Sequence, residues 1–149
     1  MSAQWFGQLE YRVPYADTDQ MGVVYYANYL VYFERSRNEL MRAMGLTYKE
    51  LEQRQLGLPV VSAHIDYKTP ARYDDLLTIR AELAWIRGVR LQVDCSVRRA
   101  EQVLATGYTV HAVIDLHSLR PARLPDELLA MWSQAVVTAQ EQPTIVHNV

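Results

Sequence analysis

From about Tyr26 to Met44 the chain carries neither proline nor glycine, and Gly45 stands where a helix C-terminal glycine would. A helix of that length is roughly 28 Å long. Its first half is apolar nearly all round: Tyr26, Ala27, Tyr29, Leu30, Val31, Tyr32 and Phe33, with only Asn28 interrupting. Its second half opens with Glu34-Arg35-Ser36-Arg37-Asn38-Glu39. A helix that is apolar on every side has to be surrounded. This one should be wrapped at its N-terminal half and wet on one face further on.

The rest of the chain supplies the wrapping. Leu9, Tyr11, Val13 and Tyr15 alternate with Glu10, Arg12 and Pro14, a strand whose proline puts it near an end or an edge. Thr47-Tyr48-Lys49-Glu50 fits a capping box for a short helix to about Arg54, closed by Gly57 and Pro59. Val61 to Lys68 alternates, and so does Leu77 to Trp85, which breaks at Arg87-Gly88. Val89, Leu91, Val93, Cys95 and Val97 then face opposite Arg90, Gln92, Asp94, Ser96 and Arg98. After a turn at Ala100-Glu101-Gln102, Val103 to Leu116 is apolar on both faces, as a central strand is. The very short turns make these last three strands antiparallel neighbours. Pro121 and Pro125 end the sheet, and Asp126 to about Gln140 reads as an amphipathic helix with Leu128, Leu129, Trp132 and Val136 on its apolar side. Residues 141–149 read as a loose end. The economical solution is an α+β fold in one domain, residues 1–149, with a curled antiparallel sheet around the long helix. Its free edges invite a second subunit.

Bulk properties narrow the function. The 149 residues suit one domain, and 50% hydrophobic content is enough for a core. With a formal charge of −2 and scattered Lys and Arg, no nucleic-acid partner is indicated. Cys95 is the only cysteine, so no intramolecular disulfide can form, which fits a reducing compartment. The N-terminus lacks a basic segment followed by an apolar one, and Val23 to Phe33 is too short to span a bilayer. The expectation is a soluble, cytoplasmic protein without a membrane span.

The loop before the long helix, Tyr15-Ala16-Asp17-Thr18-Asp19-Gln20-Met21-Gly22, admits three readings. As a calcium loop it has Asp17, Asp19 and Gly22 in place, but Met21 stands at a ligand position and Asn28 where the bidentate Glu belongs. As a turn it is ordinary, and either aspartate could cap a helix. As a site it places a carboxylate against aromatic core, where burial raises its pKa unless donors surround it. No G-x-S-x-G elbow, H-E-x-x-H pair or phosphate-binding glycine loop occurs. His111 and His117 share one face of the last strand without forming a recognised metal set, and no metal is expected. Cys95 reads as core, and His64 lies on the polar face of its strand.

Residues 15–29, YADTDQMGVVYYANY, resemble the signature of the 4-hydroxybenzoyl-CoA thioesterase family, nearest its YbgC-like acyl-CoA thioesterase branch. The resemblance continues through Phe33-Glu34-Arg35-Ser36-Arg37, Pro59-Val60-Val61 and residues 67–75, YKTPARYDD, and covers roughly residues 8–118. It implies the hotdog fold, a sheet of about five strands around one long helix, paired into dimers and often homotetramers. It implies hydrolysis of an acyl-CoA to free acid and CoA without metal or prosthetic cofactor. By this resemblance Asp19 is the catalytic carboxylate and the Tyr26 backbone N–H holds the thioester oxygen. YbgC relatives usually carry histidine at the position of Tyr26. The tyrosine here counts against a histidine-assisted mechanism and leaves Asp19 intact.

Substrate-binding candidates are Tyr25 and Tyr29 for the acyl group, Arg87 and Arg90 for the CoA phosphates, and Ser62 and His64 on the strand that faces a partner subunit's site. A hotdog dehydratase is disfavoured because no histidine precedes His64. The rival of another class is a non-catalytic domain that binds acyl-CoA or acyl-carrier protein. Acyl chain length is not legible.

Overall fold

The structure, a computed structural model, describes residues 5–136. In chain order it has β1 (Gly7–Arg12), a 3-10 turn (Tyr15–Asp17), α1 (Asn28–Ala43), α2 (Tyr48–Gln53) and β2 (Leu56–Gly57). Then follow β3 (Val60–Tyr67), β4 (Leu76–Arg87), β5 (Arg90–Arg99), β6 (Gln102–Ala112), β7 (Ile114–Asp115) and α3 (Asp126–Ser133). The main sheet has five strands in the order β1-β4-β5-β6-β3, each neighbouring pair antiparallel. Turns too short for any crossover dictate the β4-β5-β6 meander. Proline-tipped β1 lies at one edge, as its sequence implies.

Alternation decides which face is inside. Ile79, Ala81 and Leu83 of β4 and Leu91, Val93, Cys95 and Val97 of β5 are buried, and α1 lies against β1, β4 and β5. The helix contributes Tyr29, Tyr32, Phe33, Leu40 and Met41 to this core. Helix and sheet approach so closely that a Cβ on Gly7 would strike the backbone of Ser36 and Leu40. A Cβ on Gly107 would strike the His64 carbonyl and the Phe33 ring. Together these elements form the hotdog arrangement: one long helix cradled by an antiparallel sheet, with a helix at the C-terminal end.

Several details differ from the sequence reading. The first strand stops at Arg12, because Pro14 has no N–H for the ladder and Val13 turns to bond Asp75. Regular helix begins at Asn28 rather than Tyr26. The apolar first half of α1 is not fully wrapped: one sheet covers one side, leaving Leu30 41% and Val31 50% exposed. Val89 sits in the β4–β5 turn, not in the strand. The last long strand ends at Ala112, and Ile114–Asp115 pairs instead with Leu56–Gly57, so Gly57 lies in a short ladder. His117 therefore falls in a turn, where its N–H bonds Asp115 Oδ1, and shares no strand face with buried His111. The Thr47 cap forms, with Glu50 N–H donating to Thr47 Oγ1 at 3.2 Å, while the Glu50 carboxylate reaches back to accept from the Thr47 hydroxyl at 3.1 Å instead of from the Thr47 N–H of a full capping box. In α3, Leu128 and Trp132 are buried while Leu129 is exposed. The helix ends at Ser133, short of the expected run to about Gln140, as its last turn tightens to bonds three residues back, Gln134 N–H to Met131 O and Ala135 N–H to Trp132 O; residues 137–149, with the tail, lie outside the described residues.

Candidate active site

Loop geometry sets where Asp19 stands. The 3-10 turn closes with Asp17 N–H to Pro14 O and Thr18 N–H to Tyr15 O. A small hairpin follows. Thr18 bridges Val24, Asp19 N–H donates to Val23 O at 2.9 Å, and Gly22 N–H returns to Asp19 O at 3.0 Å. Gly22 has φ +78°, the left-handed glycine that ends a three-residue hairpin loop. Asp19 Oδ1 accepts the Met21 N–H at 2.8 Å, an Asx turn that fixes the carboxylate at the hairpin tip. Asp19 is half-buried. The turn reading of this aspartate is thus correct as local structure, and it takes up only Oδ1. Among the described residues no group of three His, Cys, Asp or Glu side chains is arranged to hold a metal ion.

The helix start is shaped by its own tight first turn. Asn28, Tyr29 and Leu30 donate their N–H groups to Tyr25, Tyr26 and Ala27 carbonyls, three residues back, at 2.9, 3.4 and 3.2 Å. These bonds use donors that an α-helix would leave free. Ala27 occupies the N-cap with no side-chain cap bond, so neither aspartate caps α1. Among the described residues the N–H groups of Tyr26 and Ala27 meet no acceptor. A trans peptide holds its N–H opposite its C=O. The Tyr25 and Tyr26 carbonyls point along the helix to their partners. The Tyr26 and Ala27 N–H groups therefore point away from it, at the positive end of its dipole.

Neighbouring segments lock this start in place. Val24 N–H bonds Ala71 O at 2.8 Å, Val23 bridges Arg72, and Ala71 N–H donates to the Tyr29 hydroxyl at 3.1 Å. The Tyr67 hydroxyl donates to the Tyr26 carbonyl at 2.9 Å, and its ring meets Tyr29 edge-on at 5.1 Å. Burial holds the Tyr29 and Tyr67 phenols above their ordinary pKa. Tyr25 and Tyr26 rings sit 4.8 Å apart, and the Tyr26 hydroxyl raises the Tyr25 pKa.

The sequence-derived candidates are not all gathered here. Asp19, Tyr25 and Tyr26 share the loop and helix start. Tyr29 is only 3% exposed, a core residue beneath the site with its hydroxyl occupied. Ser62 and His64 alternate with Ala63, Ile65 and Tyr67 along β3, and since Ile65 packs on the core and the Tyr67 ring on Tyr29, Ser62 and His64 take the opposite face, away from Asp19. His64 stacks on Tyr108 and lies 3.1 Å from Asp66. Arg87 and Arg90 pair across the β4–β5 turn. β4 has 12 residues, about 40 Å of strand, and begins beside the loop at Leu76, so these arginines lie at its far end. Sequence reasoning did not single out Tyr11, Tyr32, Asn28 and Tyr67, which hold the loop. The one signal for any of them is Asn28, the single amide inside an apolar run.

Comparison with known proteins agrees with this architecture. Residues 13–131 match the family model described as the Thioesterase-like superfamily. A relative from Haemophilus influenzae named acyl-CoA thioesterase YbgC is 37% identical over 122 residues, 81% of this chain and 90% of that protein. A Synechococcus protein named 1,4-dihydroxy-2-naphthoyl-CoA hydrolase is 31% identical, covering 95% of this chain and 98% of its own length. The crystal structure of the Thermus thermophilus hypothetical protein TT1821 superposes with a TM-score of 0.82 at 32% identity, over 87% of this chain and 98% of that one. With the fold, the loop and the sequence all in agreement, this chain belongs to the thioesterase-like superfamily of hotdog proteins.

Proposed function

We propose that the protein hydrolyses acyl-CoA thioesters to a free carboxylic acid and CoA, with Asp19 as the catalytic carboxylate and the Tyr26 N–H as oxyanion donor. The observation that carries this reading is the pair of unpartnered N–H groups at the start of α1, beside a loop that fixes Asp19 through one oxygen only. Attack on a thioester carbonyl needs an oxygen nucleophile and stabilisation of the developing oxyanion. Asp19 supplies the first, by direct attack or by deprotonating water. Donors at a helix start supply the second, at about 3 kcal/mol for one well-placed group. The leaving thiolate belongs to a thiol of pKa about 8.5, so strong general-acid help is not required. The proposed steps draw on no metal or prosthetic group.

The relatives named above act on CoA thioesters by name, and the exposed Tyr25 and Tyr26 suit an acyl group at the mouth. Arg87 and Arg90 would meet the CoA phosphates only of a site on a neighbouring subunit. The same holds for Ser62 and His64. Both fit a homo-oligomer, a dimer or a tetramer, built on the exposed edge strand β3. A single buried cysteine suits the reducing cytoplasm, where we place the protein. The reading is tested by free-thiol release from butyryl-, palmitoyl- and benzoyl-CoA. Turnover of at least one is expected. A folded protein that binds these thioesters but releases no thiol would instead be a binding domain.

A further inference from the structure

Asp17, the first aspartate of the loop, is held in a different way from Asp19. Its Oδ2 accepts two phenol hydrogens, from Tyr11 at 2.6 Å and from Tyr32 at 2.7 Å. Tyr11 belongs to β1 and Tyr32 to the second turn of α1, and their rings lie 5.1 Å apart. The Arg35 guanidinium sits 4.6 Å over the Tyr11 ring. Short O–H bonds to a carboxylate are among the stronger hydrogen bonds. The side chain is therefore fastened to sheet and helix together. On the main-chain side, the Asp17 carbonyl accepts Tyr25 N–H at 2.9 Å and the Asn28 side-chain amide at 2.9 Å. One residue thus joins β1, the first turns of α1 and the peptide that leads into Tyr26.

Stability alone does not call for this arrangement. A carboxylate among aromatic rings carries a desolvation cost that its hydrogen bonds only offset, and apolar packing of similar volume does as well or better. What the carboxylate supplies is direction. With Oδ2 fixed, the Asp17 carbonyl is fixed, and with it Tyr25 and the plane of the next peptide. That peptide carries the Tyr26 N–H. Asp19 follows two residues later on the same anchored segment.

We propose that Asp17 is a positioning residue, whose carboxylate, clamped between Tyr11 and Tyr32, sets the direction of the Tyr26 N–H and the place of Asp19 against it. This rests on the hydrolysis reading above. The clamp acts on the approach of donor and nucleophile to a bound carbonyl, so it governs kcat and leaves substrate affinity alone. A misplacement of about 1 Å at a catalytic group costs on the order of 100-fold in rate.

The test compares Asp17→Ala, Asp17→Asn, Tyr32→Phe and Asp19→Asn with the native protein on the fastest CoA ester of the panel, well below the melting temperature of each. Asp17→Ala and Tyr32→Phe should lose about 10- to 100-fold in kcat, with KM within about 3-fold and native far-UV circular dichroism. Asp17→Asn keeps an oxygen that can accept both phenols and should recover kcat to within about 3-fold of native. If Asp17→Ala does not fold, Tyr32→Phe against Asp17→Asn carries the same comparison. Folded Tyr32→Phe at the native kcat overturns the clamp. So does an Asp17→Asn as slow as Tyr32→Phe or Asp17→Ala. Native turnover in Asp19→Asn would instead overturn Asp19 as the catalytic carboxylate, the part of the hydrolysis reading on which the clamp rests. A dead Asp19→Asn beside a fully active Asp17 and Tyr32 series removes the clamp alone.

Discussion

His111 shows how far a single side chain can be dictated by its surroundings. It is fully buried, with Nδ1 2.8 Å from the Leu58 carbonyl and Nε2 2.8 Å from Thr109 Oγ1. A carbonyl only accepts, so Nδ1 carries the hydrogen and Nε2 accepts from the Thr109 hydroxyl. Thr109 in turn accepts from Arg37 Nη1 at 3.4 Å, so the chain of donors runs one way from Arg37 to Leu58. A proton on Nε2 would break that order next to a buried guanidinium. Burial accordingly pushes the His111 pKa down to about 4. The folded value lies below the unfolded one, so the unfolded chain binds the proton first. Stability from neutral His111 is complete above about pH 6.5 and is lost as pH falls towards 4. Urea melts over that range should show about 3 kcal/mol of pH-dependent stability, largely absent in His111→Gln. An unchanged acid limb in the variant would assign that dependence to other groups. Nothing in the sequence marks His111 for this role, because Thr109 is an ordinary neighbour on the same strand and the Leu58 carbonyl is brought in only by the fold.

At the scale of elements, the sequence is most legible where periodicity meets punctuation. β5 could be read because Leu91 to Val97 alternates without a break, and the Thr47 cap could be read because its partner lies three residues away. The reading failed where tertiary contacts decide. Val113 is buried and the chain turns after Ala112 to pair with Leu56–Gly57, although its apolar run continues. Asp19 and Tyr26 could be found as a motif, but their supports could not. Tyr11 and Tyr67 come from opposite edges of the sheet, and no local pattern joins them to the loop. Gly107 is another element-scale constraint. Gly107→Ala drives a methyl into the β3 backbone and the Phe33 ring, and should destabilise by about 1–3 kcal/mol in denaturant melts. A neutral substitution would mean that β3 and β6 separate more easily than this packing allows.

The whole molecule presents an unfinished surface. α1 leaves Leu30 and Val31 exposed on the side away from the sheet, and β3 carries Val60 and Val61 at an open edge. An edge of this length, apolar at Val60 and Val61 and carrying a single carboxylate at Asp66, is a pairing surface unless something covers it. The notion of a helix wrapped on all sides is thus met only partly by one chain, and in the homo-oligomer proposed above a second copy would cover the remainder. Light scattering should give at least a dimer for the native protein, and Val61→Lys, which puts charge on the edge, should shift it towards monomer. A monomeric native protein at micromolar concentration would contradict this. Arg87, Arg90, Ser62 and His64 would then lose their route to a site.

The central claim is that Asp19 works against a carbonyl held at the start of α1. Its most direct test is the steady-state kcat of Asp19→Asn on the best CoA ester, with folding checked by circular dichroism and substrate binding by calorimetry. The account predicts a folded protein that binds the ester with native affinity and turns it over about 100- to 10,000-fold more slowly. A folded Asp19→Asn with native kcat would show that the carboxylate at the hairpin tip is only a turn residue and that the chemistry lies elsewhere.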